Sequence, residues 1–359
     1  MSETKAAGAS GVLLIILTLA GWTAVPLLIE EFTKDVDGWT SNGWRYGFAA
    51  LIWSPLLLWK ALKGTWSKGL LAAALVPGSI NAASQIAFTM SFYEIDPSLM
   101  AFGLRFQIIA VTVGAAILFP TERRVIKHPL FLVGIGLLLA GLIATAVLQE
   151  RPETEGDDGN LALGVGLAVL AGGGFGAYAI AVRWFMKRFG VMESFAAVSQ
   201  YTAVSMIVLM LFVAERNGAV PIEMTPSRFG LFLLSAVVGI AAGHVLYYAS
   251  IQKLGVTVSS GIIQLQPFTV SLAALAVYGS AKAQLSPLQW ITGIVAVAGA
   301  ILMLIVQSIV ARKIKGDRLP ETDIDEFAEL PPDPVQAMAI SQGEREDQQD
   351  KAAEPAGAS

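Results

Sequence analysis

The fold is decided by residues 81–109, NAASQIAFTMSFYEIDPSLMAFGLRFQII, because a second stretch of the chain repeats their pattern. Residues 240–268, IAAGHVLYYASIQKLGVTVSSGIIQLQPF, lie about 159 positions later and match them chemically rather than literally, with Ser91 falling on Ser250. Both stretches are apolar enough to lie within membrane-spanning segments. A weak internal repeat of apolar segments is typical of secondary transporters, whose substrate sites lie where the two halves meet.

The composition identifies an integral membrane protein. The chain of 359 residues is 55% hydrophobic and 14% charged, with a mean hydropathy of +0.63, whereas soluble domains are roughly 25% charged. Cys is absent, which excludes disulfides, cysteine-ligated metals and thiol catalysis. With only two histidines in the chain, a histidine-built zinc site is not expected either. No basic surface points to nucleic acid.

The apolar runs predict about ten transmembrane helices, since a bilayer core takes about 20 apolar residues per helix. The predicted spans are 11–32, 42–62, 69–93, 97–119, 129–149, 161–186, 193–214, 226–252, 256–279 and 287–310. Residues 18–20 of the first span resemble the cleavage site of a signal peptide, but the apolar run continues beyond them and is too long for one. The connections between spans are short, so no soluble domain is inserted.

The basic residues of the connections indicate the orientation, because cytoplasmic loops carry an excess of Lys and Arg. With the N-terminus inside, the cytoplasmic side receives the clusters at 60–68, 123–127, 183–188 and 312–318. The opposite side keeps scattered basic residues, such as Lys34 and Arg216. Both termini are therefore expected in the cytoplasm of a multi-pass protein of the plasma membrane.

Five spans in each half imply an inverted repeat, because an odd number makes the second half enter the membrane from the opposite side. The predicted organisation is a cytoplasmic tail at 1–10, a first five-helix repeat at 11–149 and an acidic extracytoplasmic linker at 150–160. A second five-helix repeat at 161–310 and an acidic, disordered cytoplasmic tail at 311–359 follow. The tail alternates acidic residues with Pro, Ala, Gly and Gln, and such a composition cannot bury a core.

Short motifs in the first half resemble a known family. The second span opens with Trp44-Arg45-Tyr46-Gly47-Phe48, a tight turn at 92–98 joins the third span to the fourth, and 120–123 (PTER) closes the fourth. These features are similar to the drug/metabolite transporter superfamily, specifically the EamA-like permeases. The resemblance covers about 11–310 and implies two inverted five-helix halves around a central cavity. It also implies export of amino acids, other metabolites or drugs.

Arg105 is the most informative single residue for a binding site. It lies about eight residues into the fourth span, where an ionised group needs partners or water. Asn81 and Gln85 present two amides on one face of the third span. One interpretation is a polar cavity in which Arg105 binds a substrate carboxylate through its planar fork. The alternative is an arginine that snorkels outward or bonds backbone carbonyls.

His244 lies well inside the eighth span and is the only intramembrane side chain that titrates near neutrality. It either relays a proton or bonds a substrate, or it is a neutral histidine hydrogen-bonded between helices. Gln264 and Gln266 add neutral hydrogen-bonding groups to the ninth span. Pro267, which follows them, is expected to kink that helix.

Two further groups of residues complete the candidate site. Trp22 and Tyr178 are candidates for aromatic walls against an apolar or aromatic substrate, although packing roles explain them equally well. Glu30 and Arg45 lie near the outer boundary, where an ion pair would act as an outer gate or simply anchor the helix ends. The glycine runs at 134–141 and 172–176 lack the Lys-Ser/Thr of a phosphate-binding loop and predict close helix packing instead.

Together these observations predict a secondary transporter, most simply an exporter, that works by alternating access. The expected partners are a small-molecule substrate, the lipid bilayer and protons as a coupling ion, with exchange as the other way to drive transport. No cofactor or metal is expected, and the oligomeric state is left open. A flippase for a lipid-linked group is one alternative. A membrane-embedded enzyme acting on lipid or isoprenoid substrates is less well supported, because no acidic residue lies deep in a span.

Overall fold

The computed structural model describes residues 2–65, 67–118, 123–148, 160–186, 188–254, 262–279 and 285–316. Within these ranges the regular structure is helical and contains no strand. The predicted all-α polytopic fold is therefore confirmed. The acidic linker up to residue 159 and the tail after Gly316 lie outside the described residues.

The helices follow one another with short connections. In chain order they are α1 (Ser2–Phe32), α2 (Gly38–Leu62), α3 (Leu70–Ser91), α4 (Pro97–Gly103), α5 (Phe106–Leu118), α6 (Arg123–Ile126), α7 (Pro129–Val147), α8 (Leu161–Phe185), α9 (Val191–Val213), α10 (Pro226–Ala236), α11 (Gly243–Leu254), α12 (Gln266–Tyr278) and α13 (Pro287–Gly316). Two 3₁₀ turns, Glu215–Gly218 and Val220–Glu223, precede α10, and a π-helical turn, Val237–Ala242, joins α10 to α11.

Eight helical segments of the described chain are long and apolar enough to cross a membrane, judged by length and composition. The broken helix α4–α5 counts as one of them, and so does the run from α10 into α11. Two further helices occupy the second and ninth predicted spans: α2 has 25 residues but is less apolar, and α12 has 13 residues. The count of ten spans stays a prediction, whereas the multi-pass membrane character does not depend on it.

Polar caps fix where several helices begin. Asp37 accepts hydrogen bonds from the backbone N–H groups of Trp39 and Thr40 at 2.9 Å, which starts α2. Asp96 accepts from Ser98 and Leu99 at the start of α4. These side chains satisfy backbone donors that would otherwise lack partners in the first turn. The turns at the helix starts are therefore set by the local sequence.

The packing of the helices is the same when the two halves are exchanged. Helix α3 packs against α8 as α11 packs against α1, and α5 packs against α8 as α12 packs against α1. The remaining large interfaces join α2 to α9 and α7 to α13, which are equivalent helices in the two predicted repeats. This pattern is what two five-helix halves with matching packing would give, and the inverted arrangement stays a prediction.

The glycines of α7 and α8 allow neighbouring helices to approach closely, as the sequence predicts. A Cβ built at Gly141 would lie 2.5 Å from the backbone N of Ala296, and one at Gly172 would lie 2.9 Å from the carbonyl oxygen of Leu104. Gly136 faces open space instead, so packing does not explain that position.

Two predicted spans are interrupted, the fourth where the sequence predicts a continuous helix and the ninth just before the kink expected at Pro267. The fourth span breaks at Leu104 and Arg105, where the Arg105 N–H bonds the Phe102 carbonyl three residues back at 3.0 Å. The second break ends at Leu265, whose N–H bonds the Ile262 carbonyl at 3.0 Å. The breaks therefore lie at equivalent places in the two halves.

Pro267 has a different role from the predicted kink within a helix. It lies at the beginning of α12, where its missing N–H costs nothing because the first turn has no partner for it. The last helix also continues to Gly316, so residues 311–316 are helical where the sequence predicts a disordered tail.

Candidate functional site

The first polar cluster lies where the two helix breaks meet. The Arg105 Nε donates to the Ala101 carbonyl at 3.2 Å, and its Nη1 donates to the Ile263 carbonyl and to the Gln264 Oε1, both at 3.2 Å. Its Nη2 donates to the Gln266 Oε1 at 2.8 Å. Arg105 therefore joins the broken span of the first half to the broken span of the second.

All four acceptors of Arg105 are neutral. Two are carbonyl oxygens of residues that end helical turns, where a cation is favourably placed against the helix dipole. The Gln266 Nε2 donates in turn to the Trp22 carbonyl at 2.8 Å, which adds α1 to the cluster. The sequence left a substrate-binding and a structural interpretation of Arg105 open, and this geometry favours the structural one.

The second cluster surrounds a small cavity between the halves, of about 10 Å³, which is room for about one water molecule. Helices α2, α3, α8, α9 and α11 and the π-helical turn contribute to its wall. The lining residues are Tyr46, Asn81, Tyr178, Phe195, Val198, Ser199, Ile240 and His244. Hydroxyls, an amide and an imidazole thus face an otherwise apolar and aromatic wall, as is usual for small-molecule sites.

Aromatic rings hold His244 against this wall. Trp22 meets it edge to face with ring centroids 5.5 Å apart, and Phe195 lies 5.3 Å away on the other helix. The Trp22 Nε1 donates to the Gly239 carbonyl in the π-helical turn at 3.3 Å. Because the Trp22 carbonyl also accepts from Gln266, α1 links the cavity to the cluster around Arg105.

Asn81 is oriented by the helix that faces it. Its Nδ2 donates to the Thr202 Oγ1 at 3.0 Å, and Thr202 in turn bonds the carbonyl of Gly78 at 3.3 Å. This network ties α3 to α9 directly beneath the cavity wall. The Asn81 Oδ1 has no such bond among the described residues.

The structure divides the predicted site residues into two groups. Asn81, Tyr178 and His244 line the cavity, with Trp22 packed behind His244. Arg105, Gln264 and Gln266 form the separate cluster between the broken helices. Gln85 does not line the cavity, and its backbone carbonyl accepts a hydrogen bond from Asn42 at 3.4 Å.

The end of the bundle that the sequence predicts to face outward carries an ion-pair cluster different from the predicted one. The Arg228 Nε donates to the Asp35 Oδ2 at 2.7 Å, and its Nη2 lies 3.3 Å from the Glu31 Oε1. We call this group the outer clamp. Arg45 instead lies in the interior, where its Nε donates to the Ser235 Oγ at 2.9 Å. Arg45 lies well inside α2, and its side chain points towards α10. Among the described residues it therefore makes no ion pair with Glu30.

The opposite end carries an ion pair that the sequence did not single out. The Lys60 Nζ bonds the Glu193 carboxylate, which also accepts from the Ser67 Oγ at 3.3 Å. We call this group the inner clamp. Glu193 is 7% exposed, so the pair is largely shielded from water. Each clamp joins the first half of the chain to the second.

The cavity contains residues that sequence reasoning did not select. Tyr46, Phe195 and Ser199 look like ordinary membrane-helix residues, and only the packing of α2 against α9 brings them to the wall. The π-helical turn just before His244 was also missed, although such turns often occur at functional sites. The described residues contain no group of three or more His, Cys, Asp or Glu side chains suited to a metal ion.

Comparison with known proteins agrees with the resemblance drawn from the sequence. The sequence model of the EamA-like transporter family matches residues 162–305, which cover most of the second half. This chain therefore resembles the drug/metabolite transporter superfamily, as predicted. No curated protein matches the chain.

Solved structures support the fold. Twenty-three chains match, and one of them, titled "Crystal structure of protein", aligns with a TM-score of 0.53 at 14% identity. The alignment covers 86% of this chain and 99% of the other. At that identity the likeness concerns the fold alone.

Proposed function

We propose that this multi-pass membrane protein, whose second half matches the EamA-like transporter family, is a secondary transporter of small amphipathic metabolites. The observation that carries the proposal is the cavity between the halves, because transporters built from inverted repeats bind substrate at that interface. Its wall combines aromatic rings with a few polar groups, so the expected substrate has an apolar or aromatic body and hydrogen-bonding substituents.

The cavity residues have distinct proposed roles. Tyr46, Tyr178 and Phe195 enclose the apolar body of the substrate, and Asn81 and Ser199 bond its polar groups. His244 is the group that changes protonation during proton-coupled transport, because it is the titratable imidazole on the wall. Arg105, Gln264 and Gln266 hold the two broken spans together, so they set the shape of the site without facing the substrate.

The two clamps supply a route for alternating access. Opening towards the outside separates Arg228 from Glu31 and Asp35, and opening towards the cytoplasm separates Lys60 from Glu193. Both clamps are formed in this structure and the cavity is small, so substrate entry requires one end to open. Export is the direction that the family resemblance implies, with the protein in the plasma membrane and both termini in the cytoplasm.

Counterflow in proteoliposomes tests the proposal. Purified protein is reconstituted and loaded with amino acids, sugars or cationic drugs, with and without a proton gradient. We expect transport of at least one class, and we expect Asn81→Ala to reduce it at normal abundance. Ser79→Ala is the matched control, because Ser79 lies exposed on the same helix and bonds its own backbone. A protein that transports no member of the panel, or in which Asn81→Ala transports normally, contradicts the proposal.

Cysteine labelling in intact cells tests the orientation. A cysteine placed at Lys63 is expected to be shielded from an impermeant thiol reagent, and one placed at Lys34 is expected to react. The opposite pattern would reverse the proposed topology.

A further inference from the structure

Arg45 is a buried cation with unmet hydrogen-bonding capacity. The residue is 2% exposed, and its Nε bonds the Ser235 hydroxyl at 2.9 Å. Its Nη1 is buried and has no hydrogen-bond partner among the described residues, and no carboxylate of those residues lies within ion-pair distance. A buried guanidinium without a counter-charge is costly, and natural proteins normally pair or fully hydrogen-bond such groups.

The other buried arginine within a span shows the contrast. Arg105 places each guanidinium nitrogen on a protein acceptor and has little capacity left for a ligand. Arg45 uses one nitrogen in this way. If one of the two recognises an anionic group, the geometry therefore points to Arg45.

Ser41 adds a second donor at the same place. It precedes Arg45 by one helical turn on α2, so the two side chains share a face. It is also 2% exposed, and its Oγ has no hydrogen-bond partner among the described residues. The next polar residue on that helix, Asn42, is already engaged with Thr89 at 2.7 Å. A hydroxyl and a guanidinium together form a donor set suited to a carboxylate.

Three acids near the same end of the bundle are committed elsewhere, and Glu30 forms no ion pair with Arg45 among the described residues. Glu31 and Asp35 hold Arg228 in the outer clamp, and Asp37 caps α2. Arg45 is therefore not the partner of these three carboxylates, and an anion arriving from solution would not have to displace them.

The donor pair lies near the proposed substrate cavity along the chain, although neither residue lines its wall. Tyr46, the next residue along α2, lines it, and Ser235, the partner of Arg45, lies little more than one turn before Ile240 on the opposite wall. We propose that Arg45 and Ser41 bind the carboxylate of an organic anion or zwitterion whose apolar body lies in the cavity. This inference rests on the proposed function and narrows its substrate class.

Four probes that share a phenyl group test the inference. Phenylacetate is an anion, phenylalanine a zwitterion, phenethylamine a cation and phenylacetamide neutral. Binding to the purified full-length protein is measured by calorimetry or by the shift in its melting temperature. We expect the two carboxylate probes to bind more tightly than the amine and the amide.

The variants assign that preference to residues. Arg45→Gln is expected to weaken carboxylate binding by about tenfold or more, since a charge-assisted hydrogen bond is lost. Its affinity for phenylacetamide should change little. Arg45→Lys keeps the charge without the planar fork, so its affinity for the carboxylate probes should lie between those of wild type and Arg45→Gln. Ser41→Ala should weaken carboxylate binding by a smaller factor, and Ser54→Ala on the exposed side of α2 is its matched control.

Several outcomes would overturn the inference. They are tighter binding of the amine than of the carboxylates, equal carboxylate affinity in wild type and Arg45→Gln, and binding of none of the four probes. If Arg45→Gln does not fold, unchanged carboxylate affinity in both Arg45→Lys and Ser41→Ala would also overturn the inference. Counterflow with the wider panel distinguishes failure of the anion site from failure of the proposed function. If the protein transports a sugar or cationic drug equally well with and without Arg45→Gln, the proposed anion site is contradicted and the proposed transport function is not.

Discussion

Replacing Arg105 by methionine should reveal how strongly the two broken spans are held together. The substitution Arg105→Met keeps most of the side-chain volume but removes the charge and all four hydrogen bonds. A hydrogen bond inside a membrane protein contributes about 0.6 kcal/mol on average and up to about 1.7 kcal/mol. The four bonds together therefore stabilise the fold by about 2–3 kcal/mol at the average value.

Two further effects act in opposite directions on this figure. Buried acceptors left without a donor add about 1–3 kcal/mol each to the loss. Relief of the desolvation cost of the buried cation offsets several kcal/mol. We expect a net loss of about 2 kcal/mol in the free energy of unfolding, and a smaller loss for Arg105→Lys, which keeps three donors.

Unfolding in detergent, measured beside initial transport rates in proteoliposomes, checks this expectation. Arg123→Ala is the control, because Arg123 is exposed and, among the described residues, donates a single hydrogen bond, to the Ala116 carbonyl at 3.0 Å. Its free energy of unfolding should fall by well under 1 kcal/mol. If Arg105→Met kept full stability and lost only transport, the structural assignment of Arg105 would be refuted and its direct contact with substrate would be favoured.

Three other predictions concern the clamps, the glycines and the tail. With a cysteine introduced at Ser199 in the cavity wall, Lys60→Gln should open the inner clamp and raise labelling of that cysteine from the cytoplasmic side, whereas Arg228→Gln should raise its labelling from the outside. Equal labelling in both variants would contradict the clamp assignment. Gly141→Ala should lower the free energy of unfolding by about 1–3 kcal/mol through overpacking. Gly136→Ala, at a position that faces open space, should leave the free energy of unfolding unchanged or raise it by up to about 1 kcal/mol. Similar stabilities of the two variants in thermal unfolding would count against the close contact of α7 with α13. Truncation after Gly316 should leave the counterflow rate unchanged, because the acidic sequence beyond it has no capacity to pack, and a lost rate at normal abundance would assign the tail a role in transport.

The membrane-spanning helices were predictable because each one is encoded locally. Long apolar runs bounded by Gly, Pro and Asp gave most helix ends to within a few residues, and caps such as Asp37 and Asp96 lie in the sequence beside the turns they start. The break at Arg105 was not predictable in this way. The apolar run continues across it, and the acceptors that hold the broken backbone come from residues about 160 positions away.

The candidate site was predictable only where a residue is unusual for a membrane helix. Asn81 and His244 stand out from their apolar surroundings, and both line the cavity. Ser199 and Phe195 do not stand out, since such residues are common in apolar helices. The partner of Glu31 was also hidden, because Arg228 is distant in sequence and reads as one more loop cation.

The π-helical turn at Val237–Ala242 has a consequence for how this chain tolerates changes in length. A π turn closes over one more residue than an α turn, so the helix holds a surplus residue at that point. Deleting one residue there would let α10 run into α11 as ordinary α-helix, and because the surplus residue is what widens the turn, the residues that follow would keep nearly the same facing. His244 would then stay at the cavity wall. The same deletion in a regular α-helix such as α9 would rotate everything after it by about 100°, so this turn should tolerate the loss of a residue better than its neighbours do.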